Sequence, residues 1–195
     1  MKKHSYLLVI ILLGLLIRAR IILIADLWLD EAFSINLAKL SVTELMFSFG
    51  KYWDFIHPPF YYLVLKIWLY FNDGVIWLKS LGLLFYISSS LLLYKTTNQL
   101  FSRSIAVLTI LFYAINPFIV NLDIQVRMYG LLSFCLIASQ YLFFTNILNK
   151  EKLQFIKILL IALVFSICFF IDYGAIWFFI PATIFTFLTK NETYL

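Results

Sequence analysis

The stretch Pro58-Pro59-Phe60-Tyr61-Tyr62-Leu63-Val64-Leu65-Lys66-Ile67-Trp68-Leu69-Tyr70-Phe71 settles the topology of this chain. As a helix its 14 residues reach about 21 Å at 1.5 Å per residue. A hydrocarbon core is about 30 Å thick. The segment also carries Lys66 and is rich in Tyr and Trp, residues of the membrane–water interface. If it crossed a bilayer, every later loop would change sides. Lys95 and Arg103, then Lys150, Lys152 and Lys157, would face outward against the positive-inside rule. Read as non-spanning, it leaves those loops in the cytoplasm. Asp123, Arg127 and Asp172 then fall on the same outer side as Asp30 and His57.

On either side of this segment the chain is strongly apolar. Of 195 residues 64% are hydrophobic and 13% charged, with a mean hydropathy of +0.97. That balance excludes a soluble globular domain, and continuous apolar runs exclude a β-barrel, which needs alternation. The net charge of +5 comes from cations set singly or in small groups beside apolar runs. This is a topology signal, and it implies no nucleic-acid partner. Cys135 and Cys168 both lie in apolar runs, so no disulfide framework is expected. Met1-Lys2-Lys3-His4 precedes an apolar run with no small-residue cleavage site, which reads as a retained first span starting in the cytoplasm.

Spans are predicted at roughly 6–24, 75–94, 105–121, 129–148, 155–171 and 173–188. The fold class is an all-α polytopic membrane protein. It has about six transmembrane helices, plus two or three interfacial helices in a first outer loop of about residues 25–74. Residues 1–195 form a single transmembrane domain with both termini cytoplasmic, multi-pass in the cell (inner) membrane with its active face outward.

The outer loop is expected to be structured. Leu29, Phe33, Leu37 and Leu40 share a helical face, so a helix over about 30–40 can lie flat on the membrane. Asp30 and Glu31 fall in its first turn, where the helix dipole favours negative charge. Ser41-Val42-Thr43-Glu44 fits a capping box, with Leu40 and Leu45 as its hydrophobic staple, and predicts a helix over about 42–49. Pro58 suits the first position of a third helix. Together these make a roof over the bundle.

The ionisable groups brought to that face are a few carboxylates and several cations among many Tyr and Trp: Asp30, Glu31, Asp54, His57, Lys66, Asp73, Lys79, Asp123, Arg127 and Asp172, with Arg18 and Arg20 near the end of the first span. A lipid-linked phosphate needs Arg, Lys or His around its oxygens, and an acceptor hydroxyl needs a carboxylate to take its proton. Each residue also has a plainer reading. Asp30 and Glu31 also fit acids favoured at a helix start, and Arg18, Arg20, Lys66 and Arg127 also fit cations snorkelling to the interface.

The sequence Leu27-Trp28-Leu29-Asp30-Glu31-Ala32, then His57-Pro58-Pro59-Phe60-Tyr61-Tyr62, then Asn116-Pro117-Phe118 with Gln125-Val126-Arg127-Met128-Tyr129-Gly130, resembles the N-terminal part of the membrane glycosyltransferases of family 39. That group includes protein O-mannosyltransferases and the aminoarabinose transferases of lipid A, with the C-type glycosyltransferase fold. The resemblance implies Asp30 as catalytic base, with Glu31, His57, Arg127, Tyr129, Arg18, Lys79 and Asp123 as substrate-binding residues. Two departures stand out. Gln125 occupies a position where relatives usually carry Glu, for which Asp123 is a candidate substitute. Lys79 stands where relatives often place Arg.

The expected function is transfer of a sugar from a polyprenyl-phosphate donor to an acceptor hydroxyl or amine, with inversion. The acceptor is unknown and membrane lipid is a partner. No cofactor is required. A divalent cation beside Asp30 and Glu31 is compatible with the spacing, but no metal ligand is assigned. Relatives are several hundred residues long, so the chain is expected to be a partial enzyme. The alternative is a non-catalytic membrane fragment or a lipid-carrier binding or transport subunit. Transporters place charge near the midplane, whereas these charges gather at one face.

Overall fold

The computed structural model describes residues 5–47, 57–148 and 155–180. Asp54, Lys150, Lys152 and the far part of the last predicted span lie outside them. Among the described residues the fold is all helical. The helices are α1 (Ser5–Ile22), α2 (Leu29–Lys39), α3 (Val42–Phe47), α4 (Phe60–Leu69), α5 (Val75–Leu100), α6 (Arg103–Ile115), α7 (Pro117–Asp123), α8 (Tyr129–Leu148) and α9 (Phe155–Ile171). A 3-10 turn over Tyr173–Ala175 follows, and residues 176–180 are helical.

Two apolar cores hold the bundle. One gathers α2, α4, α5, α8 and α9 around Tyr61, Leu65, Leu78, Met128 and Ile171. The other joins α1, α5 and α6 around Ile11, Tyr86 and Ile110. Outward faces are apolar too: Leu8, Leu12 and Leu16 of α1 and Leu159, Leu163 and Phe170 of α9 are exposed. Such continuous apolar surface calls for a covering other than water. Among the described residues α5 alone is long and apolar enough to cross a bilayer unaided, while α6 and α7 together form a broken span or re-entrant loop. Shorter apolar helical stretches, Tyr129–Thr145 and Leu159–Ile171, stand where two further spans were read from the sequence.

The predicted span over 105–121 is two helices bent by 63°. The break follows from Asn116-Pro117. Pro117 has no N–H to give the Tyr113 carbonyl and would clash with it in a continuous helix. The Asn116 side chain instead accepts from the N–H groups of Phe118 and Ile119 at 2.9 and 3.2 Å, restarting the chain as α7 with Pro117 at its first position.

The roof helices form close to their expected bounds. Ser41 and Glu44 make the predicted capping box: the Glu44 N–H donates to Ser41 Oγ at 3.1 Å, and the Ser41 N–H donates back to Glu44 Oε2 at 2.9 Å. The third helix starts at Phe60, with Pro59 as its N-cap rather than Pro58 as its first residue. Lys66 does more than snorkel. Its Nζ donates to the Ala38 and Leu40 carbonyls at 3.3 and 2.6 Å, closing the C-terminal end of α2, where a cation meets orphan carbonyls and the dipole's negative pole. At its far end α4 is clasped to α5. The indoles of Trp68 and Trp77 stack at 4.3 Å, and each donates its N–H to the other's carbonyl at 2.9 and 3.0 Å.

The buried face of α2 differs from the apolar stripe read from the sequence. Glu31, Ser34, Ile35, Leu37 and Ala38 are buried, whereas Leu29 is 82% exposed and Phe33 lies at the surface. The stripe is overridden because Glu31 is drawn inward by partners on other elements.

Candidate active site

Asp30 and Glu31 are neighbours with opposite fates. Glu31 is 1% exposed. Lys79 Nζ of α5 donates to its Oε1 and Oε2 at 2.9 and 3.1 Å. The Val126 N–H, in the α7–α8 loop, donates to Oε1 at 2.8 Å, and the Trp28 N–H donates to Oε2 at 2.8 Å. One carboxylate therefore joins the start of α2, the start of α5 and the loop before α8. Asp30 is exposed, and its carboxylate takes no hydrogen bond or ion pair among the described residues. It lines an open chamber of about 190 Å³ with Trp28, Glu31, Asn121 and Gln125.

Arg127 stands behind Asp30. Its Nη1 donates to the Asp30 carbonyl and to Ser34 Oγ, both at 3.3 Å, and the residue is buried. Arg127 also lines a water-sized recess of about 10 Å³ with Tyr61, Gly82, Asp123 and Gln125. Burial pushes the Tyr61 hydroxyl well above its usual pKa; Tyr62 and Glu31 add to the push while Arg127 opposes it, so Tyr61 remains a neutral hydroxyl.

Arg18 and Asp123 form a second buried pair, 0% and 2% exposed. Arg18 Nε and Nη2 donate to Asp123 Oδ2 at 2.9 and 2.8 Å. The rest of the guanidinium takes the carbonyls of Ala114 at 2.9 Å and Tyr113 at 3.4 Å, the groups left over at the Asn116-Pro117 break. Its carbon lies 3.7 Å from the centre of the Tyr86 ring, a cation–π contact.

The eight residues singled out from the sequence are thus placed differently. Asp30, Glu31, Lys79 and Arg127 meet at the start of α2. Arg18, Asp123, Glu31 and Lys79, expected to touch substrate, have their charges engaged by protein partners and are buried. Their burial leaves them positioned to hold the helices under Asp30. Tyr129 is half-buried against the core at the start of α8. His57, at the entry to α4, has Nδ1 3.2 Å from Asp172 Oδ2 beyond the end of α9. Among the described residues no three His, Cys, Asp or Glu side chains gather to hold a metal ion.

The sequence reading did not single out Asn121 and Trp28 as site residues, and it met Gln125 only as a departure from a family pattern. The bend at Asn116-Pro117 carries Asn121 and Gln125 to Asp30, and no local periodicity reports that approach.

Among the described residues, an all-helical apolar bundle that buries the Arg18–Asp123 and Lys79–Glu31 pairs beneath one end, and leaves the Asp30 carboxylate uncompensated on a chamber there, fits an enzyme working at a membrane surface. The chain belongs to the dolichyl-phosphate-mannose-protein mannosyltransferase family, whose model matches residues 56–195. It is accordingly a membrane glycosyltransferase of the C-type kind. Neither the curated proteins nor the solved structures contain a significant match to the chain.

Proposed function

We propose that this chain forms the catalytic end of an inverting glycosyltransferase. It moves a sugar from a polyprenyl-phosphate donor to an acceptor hydroxyl or amine at the outer face of the cell membrane, with Asp30 as the base. The observation that carries the reading is the exposed, unpaired Asp30 carboxylate on a chamber, beside a neighbouring glutamate that is fully engaged.

In the proposed step the acceptor oxygen or nitrogen attacks the anomeric carbon and its proton passes to Asp30. The bond from that carbon to the phosphate oxygen breaks, and polyprenyl phosphate leaves with the bonding pair. Phosphate is a good leaving group, so a general acid is less needed than in glycoside hydrolysis. Arg127, next to the Asp30 backbone, supplies positive charge toward the departing phosphate, and His57, at the entry to α4, offers it a ring N–H. Arg18, Asp123, Glu31 and Lys79 act as positioning residues, and Tyr129 packs the wall beside Arg127. The test is sugar transfer from a polyprenyl-phosphate donor by the complete protein carrying Asp30→Asn. Losing a positioned base lowers the rate about 10²–10⁴-fold; full retained activity removes Asp30 from this role.

A further inference from the structure

Tyr61 of α4 is 2% exposed, and among the described residues its hydroxyl takes no hydrogen bond. A buried hydroxyl without a partner is rare in native folds and calls for a physical reason. Tyr61 lines the recess of about 10 Å³ that Arg127, Gln125 and Asp123 also line. The carboxamide of Gln125, half-buried there, likewise takes no hydrogen bond among the described residues. Gly82 of α5 and Gly130 of α8 complete the wall, and the side chains they lack leave the room.

That room is the size of one water molecule, which needs two to four polar partners to stay ordered. A phosphate group or a sugar ring is far too large for it. We propose that the recess holds one enclosed water shared by Tyr61, Gln125 and Arg127, and that Tyr61 is thereby a positioning residue for Arg127. The water accepts from the guanidinium and donates to the carboxamide oxygen, and the Tyr61 hydroxyl bonds it in either sense. Arg127 has reason to need this support. Its Nη1 bonds to the Asp30 carbonyl and to Ser34 Oγ are both 3.3 Å, longer than the usual 2.9–3.0 Å or so. The shared water ties α4 to the loop before α8 and steadies the guanidinium that faces the departing phosphate. Tyr61 itself stays neutral and moves no proton. The water site stands on the recess alone; the positioning role rests on the glycosyltransferase reading above.

Two measurements test the two halves. The first is an experimental density map of the purified protein at a resolution that shows ordered water. We expect a peak in the recess within hydrogen-bond reach of the Tyr61 hydroxyl and of Gln125 or Arg127, and its loss in Tyr61→Phe, which keeps the ring. A recess without density, or one filled by Gln125 bonded directly to Tyr61, overturns the water site. The second is sugar transfer from a polyprenyl-phosphate donor by the complete protein carrying Tyr61→Phe, with circular dichroism checking its helices. An interaction that matters only as charge grows on the phosphate lowers kcat, here by about tenfold, and leaves the donor KM within about twofold. The pH–rate profile keeps its shape, because no proton passes through Tyr61. Wild-type kcat, or a lost limb in that profile, overturns the positioning role. Absence of transfer by the wild-type complete protein sinks the transferase reading instead, and leaves the water to be read in the map.

Discussion

Consecutive residues on a helix point about 100° apart, and that angle separates the roles of Asp30 and Glu31. Glu31 points under α2 to Lys79, and both are buried. Removing one member of such a pair strands the other's charge and costs about 3–5 kcal/mol. Glu31→Gln should therefore lower the melting temperature of the detergent-solubilised protein by about 6 °C or more. Adding Lys79→Met should recover part of that loss, because an apolar replacement for a buried pair restores packing without desolvated charge. Asp30→Asn changes an exposed side chain and should leave the melting temperature within about 2 °C while transfer is lost. A melting loss as large for Asp30→Asn as for Glu31→Gln would show that Asp30 supports the fold. The adjacent acids are plain in the sequence as a pair at a helix start. Which one turns inward depends on Lys79 and Val126, 48 and 95 positions away, and no local pattern records that.

Among the elements, α7 decides where the site lies, and its position depends on a glycine. A Cβ built on Gly82 of α5 would stand 1.7 Å from the Asp123 carbonyl oxygen at the end of α7. Backbone cannot yield as a flexible side chain can, so α5 and α7 approach this closely only because residue 82 is glycine. Gly130 of α8 faces the same region, but its added Cβ would come no nearer than 3.6 Å, to the Phe85 ring, an ordinary contact. Gly82→Ala should destabilise the protein by about 1–3 kcal/mol or more, whereas Gly130→Ala should be close to neutral in the same thermal melt. Equal melting temperatures for the two variants would contradict the close α5–α7 approach. Asn116-Pro117 is a readable helix stop, yet the stretch over 105–121 read as one span because its apolar content is continuous across the break. Only the structure reveals Arg18 as the partner that makes the break tolerable, taking the Tyr113 and Ala114 carbonyls and holding Asp123 across 105 positions of sequence.

For the molecule as a whole, the contacts fix which helix ends lie together. The end of α1 meets the end of α7 through Arg18 and Asp123; the start of α2 meets the start of α5 and the approach to α8 through Glu31; the entry to α4 meets the end of α9 through His57 and Asp172. Both ends of α4 belong to this same group, since Trp68 is clasped to Trp77 at the start of α5. A helix of 10 residues with both ends in this group supports the proposed topology, in which the short Pro58-Pro59 segment stays on one side and the loops of Lys95 and Arg103 face the cytoplasm. The opposite end then carries the turn between α5 and α6. Two exposed positions separate the alternatives: Asp73 in the α4–α5 turn and Gln99 near the far end of α5. In a background lacking Cys135 and Cys168, an impermeant maleimide applied to intact cells should label Asp73→Cys and spare Gln99→Cys until the cells are permeabilised. Labelling of Gln99→Cys from outside would mean that α4 crosses the membrane or that the bundle is inserted the other way up. In the first case Arg127 and Asp172 would fall on the face opposite Asp30; in the second Asp30 would be cut off from a donor presented in the outer leaflet.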